Sequence, residues 1–170
     1  MQRTYFDRDL LLSVVKPALE SRAPLSKSAN SRPPDQLALA IIHPGEDAGG
    51  LLSALYTMNP GARILEITAP EAEDNIKQYR AMLTELLFAC GETPLRRGQT
   101  SAAEARLPKL LRANADVVVV HHAERMGTYA LDALRPDRGN PPVVLIAYHD
   151  RVLDTVLSQD TLLHRVVLLT

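Results

Sequence analysis

Three histidines stand just past short apolar runs: His121 and His122 after four consecutive valines (Val117 to Val120), and His149 shortly after Val143 to Ala147. Imidazole is a frequent transition-metal ligand, and three of them brought together could hold zinc with an open coordination position. If the strand continued, consecutive His121 and His122 would point to opposite faces, so at most one would join His149 on the inner side. The plainer role for each is a hydrogen bond to a nearby carbonyl at a strand end, and a metal-dependent enzyme using His121, His122 and His149 is the alternative. No nucleophile is framed. Ser53, Ser101 and Ser158 lie inside or at the start of helical patterns and not on a strand–turn–helix elbow. Cys90 closes an apolar helix as a small hydrophobe.

The second stretch able to do chemistry runs from His43 through Pro44, Gly45, Glu46, Asp47 and Ala48 to Gly49 and Gly50, between an apolar run and an apolar helix. That is the position of a phosphate-binding loop, whose pattern is G-x-x-x-x-G-K-[ST]. In that alignment His43 replaces the first glycine and Ala48 the second. Gly49 stands where the lysine belongs and Gly50 where the magnesium-binding hydroxyl belongs. Without them the loop lacks both the cation for the β- and γ-phosphates and a metal ligand. Glu46 and Asp47 add like charge, each contact at ~4 Å costing on the order of 4 kcal/mol at an effective dielectric near 20. The valine run ending in His121-His122 has the layout of a Walker B strand, with imidazoles where the magnesium-orienting and water-activating acids would be. Tyr148 occupies a sensor-like place after the next apolar run, and Arg165 the place of an arginine finger before the last one.

These segments need a scaffold, and the chain supplies one by alternation. Leu37 to Ile42, Arg63 to Ile67, Asp116 to Val120, Pro142 to Ala147 and Val166 to Leu169 read as strands. Between them, Leu51 to Met58, Ala72 to Cys90, Thr100 or Ser101 to about Ala113, Gly127 to Leu134 and Asp150 to Leu157 read as helices, with Glu104 placed to close a capping box. Short continuous apolar strands alternating with helices predict a mainly parallel sheet covered on both faces. The expected organisation is an N-terminal helix (Asp7 to Glu20, interrupted at Pro17) and a proline-containing arm over residues 1–35, followed by a three-layer α/β domain over residues 36–170.

Composition narrows the function classes. The chain has 170 residues, 46% hydrophobic and 23% charged, with a formal net charge of -1. There is no overall basic excess for nucleic acid. A single cysteine excludes an internal disulfide or a cysteine-based zinc cage, and 4% aromatics without tryptophan disfavour stacking platforms. No apolar run approaches the ~18 residues of a membrane span, and the first residues lack a signal-peptide core, so a cytoplasmic protein is expected. Local basic residues could still touch DNA: Arg22, Lys27 and Arg32 in the arm, and Arg96 and Arg97 in a loop.

Taken in order, the motifs resemble the AAA+ ATPases of the TniB/TnsC group, helper proteins of bacterial transposons, over roughly Arg32 to Thr170. Arg32-Pro33-Pro34 resembles that group's lead-in to the phosphate loop, and Ile67 to Ala72 its second strand with a proline exit. Leu83 to Thr100 is similar to the connection before its third strand, and Asp160 to Arg165 to its D-x-x-L-x-x-R ending. The resemblance implies a P-loop NTPase-like domain with strand order 5-1-4-3-2, and an ATP-controlled protein that assembles on DNA and recruits a transposase. The chemistry does not transfer: of the functional positions only Arg165 is kept. The chain ends just after the fifth strand, so the group's helical lid is expected to be missing. The expectation is therefore a catalytically silent relative that has lost ATP and magnesium, retains His43, Gly45, Gly49 and Gly50 as a relic of the loop, and works by assembly with a protein partner, with copies of itself or with DNA. A clamp-loader-type pseudo-ATPase is the second family reading, on Ala123-Glu124-Arg125-Met126 and Leu157-Ser158.

Overall fold

The computed structural model describes residues 9, 11–12, 37–43, 46–58, 60–93, 95–158 and 166–169. Strands β1 (Leu37–Ile41), β2 (Ile64–Thr68), β3 (Val117–His121) and β4 (Val143–Ala147) are five residues each, and a three-residue β5 (Val166–Leu168) pairs at one edge. Helices α1 (Gly49–Met58), α2 (Asn75–Ala89), α3 (Thr100–Asn114), α4 (Thr128–Ala133) and α5 (Val152–Leu157) connect them. Every pairing is parallel and the order is β2-β3-β4-β1-β5, the order the resemblance implies.

β1, β4 and the valine run of β3 are apolar because both faces are covered, whereas β2 carries the exposed Glu66 and Thr68. Leu37, Leu39 and Ile41 of β1, Val118 and Val120 of β3, and Val143, Leu145 and Ala147 of β4 join the buried side chains of α2 to α5 in one core. The alternate residues, Ala38, Ala40, Val117, Val119, Val144 and Ile146, pack with Leu51 and Leu55 of α1 in a second core. Burial on two faces removes the alternation of polar and apolar residues that a half-exposed strand would show. Leu11, N-terminal to the arm, is buried in the second core, with Asp9, Leu11 and Leu12 helical. Arg22, Lys27, Arg32, Gly45, Asp160 and Arg165 lie outside the described residues.

The element boundaries have local causes. Asp74 caps α2 by accepting the Lys77 N–H at 2.8 Å, and Gly91, with φ +79°, ends the helix in the left-handed conformation that glycine adopts at little cost. The expected capping box on α3 does not form. Gln99 is the N-cap and makes no side-chain cap bond, while Glu104 lies 3.5 Å from Arg138. The start of β3 is tied to β2 by Asp116, which accepts the Arg63 N–H at 2.8 Å and its guanidinium at 3.2 Å. The first glycines of α1 are helical, where the sequence suggests loop.

Candidate functional site

Parallel strands aligned in register bring their carboxyl ends to one edge, the usual place for a ligand in such sheets. Here Thr68 is opposite His121, His121 opposite Ile146, and Ile41 opposite Ala147. The strand parity puts Glu66, His121 and Tyr148 on the face covered by α1, which begins beside them at the end of β1.

The loop that leads into α1 is closed by its own carboxylates. The Asp47 carboxylate accepts the Gly49 N–H at 2.6 Å, and the Glu46 carboxylate accepts the His43 N–H at 3.1 Å. The amino end of a helix attracts anions through its unpaired N–H groups and dipole, and a side-chain carboxylate satisfies it as a phosphate would. A Cβ built on Gly49 would lie 2.7 Å from Asp47 Oδ1, so glycine lets the carboxylate approach the backbone. Of the loop residues singled out in the sequence, His43 is exposed, Gly49 and Gly50 form the first turn of α1, and Gly45 is not described.

At the strand ends the polar groups bond to one another. His121 Nε2 is 2.5 Å from Glu66 Oε1, and its Nδ1 is 3.2 Å from the Tyr148 hydroxyl. An imidazole that donates Nε2–H to Glu66 and accepts the Tyr148 proton at Nδ1 accounts for both contacts. The other Glu66 oxygen accepts the Tyr56 hydroxyl of α1 at 3.1 Å. Burial first, then the Glu124, Glu66 and Asp47 carboxylates, push the Tyr148 phenol above its ordinary value, so it stays protonated as a donor. Glu66, Ile67, Thr68, His121, His122 and Tyr148 line an open depression of about 450 Å³.

His122 is turned away by its backbone. Its φ of 57° is left-handed, a conformation that costs a non-glycine residue roughly 1–2 kcal/mol. Its Nδ1 lies 2.8 Å from Glu124 Oε1, and its ring centroid is 4.6 Å from that of Tyr148. The Glu124 side chain is only 7% exposed, and its second oxygen accepts the Tyr148 N–H at 2.9 Å. Burial alone would raise the Glu124 carboxyl; the Tyr148 N–H and the His122 imidazole outweigh it and hold the group below its ordinary 4.5.

The three histidines do not form a common site. His121 is engaged by Glu66 and Tyr148, His122 by Glu124, and His149 is exposed, with Nδ1 3.1 Å from Asp150 and 3.0 Å from the Arg151 N–H. Among the described residues no group of three or more His, Cys, Asp or Glu side chains is placed to hold a metal ion. Cys90 is half-buried, and burial followed by the Glu92 charge pushes its thiol up, away from the reactive thiolate. Arg96 and Arg97 are exposed. Sequence reading missed Glu66, Tyr56 and the anchoring role of Glu124. Glu66 had a signal, a carboxylate inside the strand Ile64-Leu65-Glu66-Ile67-Thr68. Tyr56 had none, because its partner is fixed only when α1 packs beside β2.

A larger depression of about 880 Å³ opens between the end of β3 and α5, where Arg125 and Arg151 are mixed with Glu71, Glu73, Glu124 and Asp154. Arg125 is already held by the Ala69 carbonyl at 3.2 Å and Glu71 at 3.4 Å. This mixture favours no one sign of ligand charge. No family model matches the chain, and no curated protein matches it.

Proposed function

We propose that the chain is a P-loop-type α/β domain related to the TniB/TnsC-like AAA+ transposition helpers, silent toward ATP and magnesium, and acting as an assembly or regulatory module. One observation carries the reading: the Asp47 carboxylate sits on the Gly49 N–H at the amino end of α1, where a nucleotide phosphate would need to be. A phosphate entering there must displace an anion that is covalently part of the loop, with no lysine to compensate. The strand order supports the family assignment, and the bonded set of Glu66, His121 and Tyr148 supports the loss of a magnesium site, since both Glu66 oxygens already accept hydrogen bonds. With no reacting centre among the described residues of the cleft, the domain acts through its surface, on a protein partner, on further copies of itself or on DNA.

The test is thermal unfolding followed by far-ultraviolet circular dichroism, with and without millimolar ATP and magnesium. A ligand present at about 100 times its dissociation constant adds about 2.7 kcal/mol. For a chain of this size that is on the order of 5–10 °C in melting temperature. The expected shift is under about 1 °C, with phosphate release at the buffer rate; a shift of the larger size overturns the reading.

A further inference from the structure

The depression of about 880 Å³ between the end of β3 and α5 falls within the roughly 300–1,000 Å³ of small-molecule sites. Part of its lining spends its charge on the protein itself. Glu71 is 3.4 Å from Arg125, Glu73 is 2.7 Å from Lys77, and Glu124 holds His122 and the Tyr148 N–H. The other part does not. α5 turns Val152 and Val156 into the core and presents Arg151, Asp154 and Thr155 to the depression. Among the described residues the Arg151 guanidinium, the Asp154 carboxylate and the Thr155 hydroxyl have no hydrogen-bond or ion-pair partner. The same holds for the Thr128 hydroxyl and the Asn75 amide, which α4 and α2 add to the lining. Helix stability does not account for Arg151, because a cation at the amino end of a helix opposes the dipole. Gly127 fixes the wall beside Asn75. Gln78, 3% exposed, accepts the Gly127 N–H at 3.3 Å, and a Cβ on Gly127 would lie 2.5 Å from Asn75 Oδ1, so glycine lets the Asn75 amide lie against the main chain.

We propose that this depression binds a free α-amino acid with an uncharged polar side chain, its carboxylate on Arg151 and its ammonium on Asp154. One unspent cation and one unspent carboxylate suit neither a simple anion nor a simple cation, since each would meet the wrong charge beside its partner. A zwitterion answers both. Arg151 precedes α5 in helical backbone conformation (φ -57°, ψ -18°), which puts it one turn from Asp154 on the same side. Cβ atoms so placed are about 5–6 Å apart, close enough for groups borne on a single carbon to reach both side chains. The guanidinium fork can take the carboxylate through two parallel N–H bonds. Asn75, Thr128 and Thr155 offer neutral donors and acceptors to the ligand side chain, which is why an uncharged polar one fits. No residue of the phosphate loop takes part, so the site lies beyond the proposed function and does not depend on it.

Two-dimensional ¹⁵N–¹H correlation spectra test it, with L-glutamine, L-asparagine, L-serine and L-threonine as separate probes. Each is titrated to about 10 mM, roughly ten times the dissociation constant of about 1 mM that two charged contacts give a ligand of this size. At least one probe should saturate, moving the amide signals of Asn75, Gly127, Thr128 and Thr155. Its N-acetyl derivative, which lacks the ammonium, and its C-terminal amide, which lacks the carboxylate, should each bind at least about tenfold more weakly. Arg151→Ala and Asp154→Asn should each weaken the parent amino acid by a similar factor, and Lys109→Ala, outside the depression, should leave it unchanged. Both lining residues are exposed, and an otherwise superimposable spectrum verifies the fold of each variant. Absence of any shift with all four probes overturns the proposal, as do shifts that bypass those four amides. So does equal binding of either derivative, or full affinity in Arg151→Ala or Asp154→Asn. ATP and magnesium are absent throughout, so failure here leaves the nucleotide test unaffected.

Discussion

Glu124→Ala should be among the most damaging single changes at the strand ends. The carboxylate is buried and holds two groups at once, the Tyr148 N–H at 2.9 Å and the His122 imidazole at 2.8 Å. Truncation leaves the Tyr148 N–H without its acceptor, which costs about 1–3 kcal/mol. The imidazole is partly exposed and regains water, so its share is at most about 1 kcal/mol. The sum is about 1–4 kcal/mol, or roughly 2–16 °C in melting temperature for a chain of this length. Glu124→Gln is the discriminating partner. Its amide oxygen can accept from Tyr148 and its amide nitrogen can donate to His122 Nδ1 if the ring proton sits on Nε2, so the loss should stay under about 1 kcal/mol.

Equilibrium unfolding in urea, followed by circular dichroism because the chain has no tryptophan, measures both variants. The pH dependence adds an arm with a definite sign. The Glu124 carboxyl titrates below 4.5 in the folded protein, so its contribution is complete above that value and is lost as pH falls through the lowered folded-state pKa. Glu124→Gln removes that titration, so the stability gap between wild type and variant should narrow in acid. An alanine variant within about 0.5 kcal/mol of wild type, or a glutamine variant as damaged as alanine, would refute the bridging role.

Asp116→Ala removes the acceptor of the Arg63 N–H and guanidinium from a side chain that is 2% exposed, and should cost about 2–4 kcal/mol in the same urea assay; a cost under about 0.5 kcal/mol counts against it. His121→Asp places an acid at the end of β3, near Glu66. It should destabilise the fold by about 1–3 kcal/mol at neutral pH, with relief as acid protonates the pair, and unfolding curves at neutral and acidic pH that superimpose would rule out the repulsion.

Much of the scaffold is legible in the sequence because burial on both sheet faces writes itself as unbroken apolar runs such as Val117 to Val120. The helices are legible where their apolar spacing is regular, as at Met82, Leu83 and Leu86 of α2. The capping box on α3 misleads because Ser/Thr-x-x-Glu is also compatible with a helix that starts one turn position away, and Arg138, distant in sequence, competes for Glu104. Gly49 and Gly50 read as loop from their propensity, yet burial of Ala48, Leu51 and Leu55 against β1 draws them into the helix. The histidines were visible as chemistry, but their partners were not. Glu66 meets His121 only through the β2–β3 register, and His122 leaves its neighbour's side only through a left-handed backbone.

The strand ends and the outer face of α3 differ in one physical respect. At the strand ends the polar side chains point at one another: Tyr56 at Glu66, Glu66 at His121, His121 at Tyr148, Glu124 at His122. Such a closed set stabilises the edge of the sheet, and a ligand entering it must first break bonds that cost about as much as it can return. On the outer face of α3, Arg106, Lys109 and Arg112 are exposed and have no carboxylate within ion-pair distance among the described residues. Under the proposed function, recognition therefore falls to the side of the domain and not to its strand ends.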